Sequence, residues 1–349
     1  MKLEELIRPH LRSFQPYVSA RSETVEARIF LDANELSAGS PISFDGLALN
    51  RYPDPNQVRL RMKLATLAGV SFDSVFAGAG SDEIIDLLFR LLCEPSIDSA
   101  IILEPTYGVY RVAADLNGVE AAGVELNDDF QIDVERTLRA VQSKTKLIFC
   151  CSPNNPTGSL LRRRDILALC SSFEGIVVAD EAYIEFAGAS SLAGDVGSTS
   201  NLVVLRTLSK AWGLAGIRLG YSIANPVLVE YLLRIKSPYN ISAVAAALAL
   251  TTLEMDGAVQ TTVREVVSER ERIAFGLRKL PTVQQVYPSD ANFLLARFTD
   301  SERAFSALLA RGIVVRRRSE PRLRDCLRMT VGTAEENQLL LNTLSELKA

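Results

Sequence analysis

Leu202-Val-Val-Leu-Arg-Thr-Leu-Ser-Lys-Ala-Trp-Gly-Leu-Ala-Gly-Ile-Arg-Leu-Gly-Tyr221 is the stretch on which the reading of this chain turns. It opens on an apolar run, residues 202–205, that reads as a buried strand. Just past the strand stand Ser209 and Lys210, then glycines at 213, 216 and 220, with Arg218 between the last two. A lysine at the mouth of a buried strand loses hydration, which disfavours the ammonium and leaves an amine able to attack a carbonyl. Ser209 and Arg218 are suited to holding an anion beside that amine, and the glycines admit a close backbone approach. An ordinary surface lysine in a glycine-rich turn has the same local text. The surrounding chain decides between the two.

Upstream, short apolar strands alternate with helical patterns. Strands at 74–77, 100–103, 119–124, 147–151, 176–179 and 202–205 are interleaved with helices over 82–92, 108–116, 133–141 and 162–171. Strands that are apolar throughout are covered on both faces, which predicts an α/β fold with a mostly parallel sheet between helices. After Lys236 the text changes. Helices over 243–254 and 259–280 precede a strand at 292–297, a helix at 302–311, strands at 313–316 and 326–331, and a terminal helix at 335–347. That order predicts a smaller α+β domain. Residues 1–30 read as a helix-turn arm rather than as core, residues 45–250 as the large domain, and 31–44 with 251–349 as the small one.

Bulk composition narrows the function. The 349 residues are 48% hydrophobic and 23% charged with a formal net charge of -4, an ordinary globular balance and a poor one for nonspecific nucleic-acid binding. Two domains are expected, since single cores stop growing near ~250–300 residues. The cysteines, at 93, 150, 151, 170 and 326, have no CxxC spacing and sit mostly in apolar runs, as buried thiols of a reducing compartment do. His10 is the only histidine, which sets aside histidine metal centres and Ser-His-Asp triads. The N-terminus does not read as a signal peptide and no apolar run reaches the ~18–20 residues of a membrane span, so the expected location is the cytoplasm, without membrane partners.

The unusual polar residues cluster at strand ends, where open α/β sheets bind ligands. The strand at 147–151 runs into Ser152-Pro-Asn-Asn-Pro-Thr-Gly158, that at 176–179 into Asp180-Glu-Ala-Tyr183, and that at 202–205 into Ser209-Lys210. Each has a plainer reading: Asn-Pro-Thr-Gly makes turns, and Asp180 can cap a helix. Their coincidence with Lys210 at one sheet edge favours chemistry. A fourth element, Gly78-Ala-Gly-Ser-Asp-Glu83, joins a strand to a helix with Ser81 as candidate N-cap. Its free N–H groups suit a phosphate, with the carboxylates of Asp82 and Glu83 expected to point aside. A lysine, carboxylate, phenol, amide, phosphate cup and arginine together suit pyridoxal 5'-phosphate.

Laid end to end, these motifs resemble the histidinol-phosphate aminotransferases, within the fold-type I pyridoxal-phosphate-dependent aminotransferases. The resemblance rests on Arg51-Tyr-Pro53, Gly80-Ser-Asp-Glu83, Pro105-Thr-Tyr-Gly108, Ser152–Gly158, Asp180-Glu-Ala-Tyr-Ile-Glu185, Thr207-Leu-Ser-Lys210, Leu214-Ala-Gly-Ile-Arg218 and Leu327-Arg-Met-Thr-Val-Gly332. It implies a seven-stranded, mostly parallel sheet and a homodimer. Lys210 is then the amine that joins the cofactor's aldehyde, Asp180 pairs with its ring nitrogen, and Asn155 and Tyr183 bond its phenolate oxygen. Tyr107 stacks on the ring. Backbone groups of Ser81 and Asp82, with Ser209 and Arg218, hold the phosphate, and Tyr52 reaches it from the neighbouring subunit.

The implied reaction is transamination of L-histidinol phosphate with 2-oxoglutarate, giving imidazole acetol phosphate and L-glutamate. Arg328 and Arg316 match the arginines that hold substrate anions, with Asn34 beside them and Tyr17 contributed by the partner's arm. The chain departs from the family at Asp32-Ala-Asn-Glu-Leu36, which lacks the usual proline, at Trp212 in place of phenylalanine, and at Ser81. The alternatives are an aromatic amino acid aminotransferase and a threonine-phosphate decarboxylase of the same fold. A regulator that merely senses ligand is disfavoured by the intact lysine and its ring partners.

Overall fold

A computed structural model describes residues 3–13, 46–318 and 320–347. Among these residues eleven strands form two sheets. The larger contains β1 (Val75–Gly78), β2 (Ser99–Glu104), β3 (Glu120–Glu125), β4 (Thr145–Cys151), β5 (Ile176–Asp180), β6 (Leu202–Thr207) and β7 (Gly220–Ile223), in the order β1-β7-β6-β5-β4-β2-β3. Strands β2 to β6 pair in parallel, while β7 runs antiparallel to both β6 and β1. The smaller sheet is antiparallel, in the order β10-β11-β9-β8, from β8 (Val283–Val286), β9 (Phe293–Phe298), β10 (Arg316–Arg317) and β11 (Cys326–Thr330).

The apolar strands are sandwiched as their text requires. Along β4, Leu147, Phe149 and Cys151 join one core with Ile84, Leu88 and Tyr110, while Ile148 and Cys150 join another with Ile166 and Leu169. That alternation places a helical layer on each face, and burying each such side chain contributes about 1.5–3 kcal/mol. A third core lies between the small sheet and the helices Asp256–Leu277 and Ala334–Ser345. The last helix starts on a capping box, Thr333 accepting from the Glu336 amide at 3.2 Å and Glu336 from the Thr333 amide at 2.8 Å.

The structure corrects several expectations. The start of the chain belongs partly to the core: Leu3 and Ile7 are buried in the Tyr110 cluster, and Arg8 pairs with Glu94 at 3.0 Å. A strand at 313–316 shrinks to Arg316–Arg317, because Gly312 turns the chain at φ +75° and the Ile313 amide closes the preceding helix on Leu308 O. The helix Ser81–Leu92 is entered from Gly80, with no side-chain cap, so Ser81 is its first residue rather than its N-cap. Strands β7 and β8 and the helix Pro226–Ile235 have no clear periodic signal in the sequence. Tyr17, Asn34 and the reading of residues 14–45 lie outside the described residues.

Among the described residues no helix is long and apolar enough to cross a membrane, and no group of His, Cys, Asp or Glu side chains could hold a metal. The five cysteines are free and buried.

Candidate active site

Strands β4 and β5 end flush, with Cys151 beside Asp180, and β6 continues past Leu205, which lies beside Asp180, to Thr207. Past those ends the chain leaves the sheet, so Asn155, Asp180 and Lys210 arrive at one edge. Strand β7 brings Gly220 to the same edge, between Thr207 and Gly78. A Cβ at Gly220 would run into the Ser81 amide nitrogen, and one at Gly80, itself at φ +86°, would lie 2.8 Å from Arg218 Nη2. These glycines let β7 and Arg218 close against the first turn of the helix Ser81–Leu92. The resulting pocket, about 470 Å³ out to its open mouth, is lined by Ser81, Asp82, Tyr107, Asn155, Asp180, Tyr183, Ser209, Lys210 and Arg218, all expected, and by Cys151, Ala182 and Thr207.

Asp180 forms the floor and is buried. Burial pushes its pKa up, against the pull of the Tyr110 hydroxyl, which donates to Oδ2 at 2.6 Å, and of the Ala182 amide, 3.1 Å from Oδ1. Lys210 is exposed as a residue, but its amine loses hydration in the pocket, 5.6 Å from the Tyr183 ring centre. That desolvation, and then the charge of Arg328, lowers its pKa, while Asp180 and Asp82 pull the other way. Asn155 donates to the Tyr183 hydroxyl at 3.3 Å and accepts from Arg328 Nη1 at 2.5 Å.

Arg328 on β11 stands directly opposite Arg316 on β10. Like charges at such a position repel unless an anion lies between them. Burial lowers the Arg328 pKa, and its Nε is buried without a hydrogen-bond partner. Arg316 is exposed, whereas Arg317 turns to Glu302 at 2.7 Å.

At the cup, Glu83 behaves as expected: its carboxylate folds back onto the Ala79 amide at 2.5 Å and accepts from Asn240 at 2.8 Å. Asp82 does not point aside. It meets Arg218 Nη2 at 3.3 Å and the Tyr107 hydroxyl at 3.2 Å, because the close approach of β7 brings the arginine over the first turn. Tyr52 lies outside this pocket, half exposed and stacked on Tyr239 at 4.5 Å. Tyr110 and Asn240 join the site from outside the motifs read in the sequence. Tyr107 precedes the helix Val109–Leu116 and Tyr110 lies in its first turn, so no shared helix face marks Tyr110 in the sequence.

The model for class I and II aminotransferases matches residues 32–344. Over 348 residues, 99% of each chain, the sequence is 45% identical to the histidinol-phosphate aminotransferase of Parabacteroides distasonis. It is 42% identical to that of Bacteroides fragilis, over 99% of both.

The chain belongs to the histidinol-phosphate aminotransferase family.

Among solved structures, the histidinol-phosphate aminotransferase of Clostridium acetobutylicum matches with a TM-score of 0.79 at 26% identity, over 85% of this chain and 90% of that one. That of Sinorhizobium meliloti, solved in complex with pyridoxal 5'-phosphate, matches at 0.78 and 25%, over 85% and 83%. An L-threonine-O-3-phosphate decarboxylase from Porphyromonas gingivalis, at 0.73 and 23%, over 85% and 90%, shares the fold alone. This member of the histidinol-phosphate aminotransferase family is therefore a fold-type I aminotransferase that depends on pyridoxal 5'-phosphate. The pocket fits that group: a buried carboxylate destabilised by desolvation suits a ring cation, uncapped N–H groups suit a phosphate, and an amine of lowered pKa suits an aldehyde.

Proposed function

We propose that the chain catalyses transamination of L-histidinol phosphate with 2-oxoglutarate, producing imidazole acetol phosphate and L-glutamate in histidine biosynthesis. Relatives matched over 99% of this chain are named histidinol-phosphate aminotransferases, which supports the amino donor. The observation that carries the reading is the Arg328–Asn155 contact at 2.5 Å, which ties an anion-binding arginine to the residues around Lys210.

When bound, pyridoxal 5'-phosphate supplies a sink for the electron pair left when a proton leaves the substrate carbon. The Lys210 Nζ would carry that proton between the substrate carbon and the cofactor. Asp180 holds a negative charge at the pocket floor, and Asn155 and Tyr183 offer hydrogen bonds toward the Lys210 side. The backbone N–H groups of Ser81 and Asp82, with Ser209 and Arg218, would bind the cofactor phosphate, and Tyr107 would cover the ring. Arg328 and Arg316, with Asn34 and the partner's Tyr17, bind the substrate anions. The same two cations serve a phosphate in one half-reaction and carboxylates in the other.

The working unit in this reading is a cytoplasmic homodimer, with Tyr52 crossing to its partner's phosphate. The half-exposed Tyr52 and the apolar helix Ala243–Leu253, packed against the helix Val58–Ala68, supply the kind of surface such a contact needs. Residues 45–250 act as the cofactor-binding domain, with 31–44 and 251–349 as the small domain, in keeping with the two sheets.

A panel of single half-reactions tests the substrate. Histidinol phosphate is expected to aminate the cofactor faster than phenylalanine, and phosphothreonine to release no carbon dioxide. Preference for phenylalanine, or carbon dioxide from phosphothreonine, would replace this substrate assignment.

A further inference from the structure

Asp180 is a carboxylate placed where burial works against its charge, and the element that compensates is one the active-site motifs do not include. Tyr110 lies on the helix Val109–Leu116 with no exposed surface. Its ring is clamped by Phe149 of β4, stacked at 4.8 Å and 19° between planes, and by Tyr107, edge-on at 5.6 Å. That clamp leaves the hydroxyl little freedom, and it lands 2.6 Å from Asp180 Oδ2.

We propose that Tyr110 is a positioning residue that holds Asp180 as the carboxylate anion and aims it into the pocket. The inference rests on the cofactor assignment above. An O–H donated to a carboxylate stabilises the ionised form, and does so more strongly in a dry core than in water. The Ala182 amide holds Oδ1 at 3.1 Å, so each oxygen of Asp180 receives one donor from the protein. Burial also drives the Tyr110 phenol well above its ordinary range, so this hydroxyl keeps its proton and remains a donor throughout the working pH range.

The consequence concerns one proton, shared between Asp180 and the ring nitrogen. With both donors in place the carboxylate is a weak base and the proton rests on nitrogen, where it draws electrons from the substrate carbon. Without the tyrosine hydroxyl the carboxylate gains basicity and draws the proton back toward oxygen. Tyr110 touches neither substrate nor cofactor in this account; it acts through Asp180.

Tyr110→Phe removes the hydroxyl and keeps the ring between Phe149 and Tyr107. Phe149→Leu loosens the same packing and keeps the hydroxyl. The unsubstituted protein and both variants are loaded with cofactor labelled with 15N at the ring nitrogen, and the 15N chemical shift is recorded with kcat and KM. Tyr110→Phe should move the shift toward that of the unprotonated ring and lower kcat by at least ~10-fold, as loss of one charge-assisted hydrogen bond would, with KM little changed. Phe149→Leu, which frees the hydroxyl without removing it, should lower Tm and displace the shift less than Tyr110→Phe does. Borohydride trapping at Lys210 on the same samples reports separately on the cofactor assignment. A trapped Tyr110→Phe protein whose 15N shift equals that of the unsubstituted protein would overturn the role of Tyr110 alone. An equal displacement in Phe149→Leu would overturn it too, by reducing it to packing.

Discussion

Lys210 and Asp180 have their charge states displaced in opposite directions by the same cause, loss of water. For the lysine the sign is simple. A folded-state pKa below the ordinary 10.5 enlarges the neutral, nucleophilic fraction at any given pH. The rate at which apoprotein takes up cofactor should rise with pH and level off below 10.5, whereas a midpoint at or above that value would show an ordinary amine. Arg328 is expected to serve both half-reactions, so Arg328→Ala should raise KM for the amino donor and for the keto acid alike, each by ~10-fold or more for a lost charge-assisted bond. An effect on one substrate only would contradict the shared site. At this scale the sequence was most informative where a residue type has few other uses beside a buried strand end, as with Lys210 and Asp180. Tyr110 was silent because an aromatic on a helix face is usually core, and only the fold reveals that its hydroxyl meets a carboxylate seventy positions away.

At the scale of elements, the site depends on how closely β7 passes the helix Ser81–Leu92. Gly220→Ala forces a Cβ against the Ser81 amide, and the element must give way. The expected cost is ~1–3 kcal/mol in denaturant unfolding, with weaker retention of cofactor phosphate. Thr333→Ala makes the comparison. It breaks a capping box far from the pocket and should cost about 1 kcal/mol with kcat and cofactor retention unchanged. If both variants lost stability alone, the approach of β7 would have no bearing on the phosphate cup. Buried parallel strands were easy to read because they are apolar at every position. Strand β7 was not, because Gly-Tyr-Ser-Ile223 is short and takes its structure from neighbours on either side. Strand β8, Val-Gln-Gln-Val286, is half exposed and nearly hidden by its polar pair.

At the scale of the whole molecule, the fold class and the convergence of three strand ends followed from text alone, whereas the partner's share in the site is a matter of assembly. If Tyr52 crosses the interface, mixing Lys210→Ala subunits with Tyr52→Phe subunits should restore one complete site per hybrid dimer. Activity should then exceed that of the Tyr52→Phe parent, measured on the mixture after exchange of subunits. Activity that merely averages the parents would place Tyr52 in its own subunit's site or in none. Every assignment in the pocket, from Asp180 to Arg328, presupposes a covalent attachment at one nitrogen. Borohydride reduction of the cofactor-loaded protein, followed by peptide mass mapping, tests it directly. A single pyridoxyl-phosphate adduct on Lys210 is the predicted result; an adduct on another lysine, or none, would contradict it.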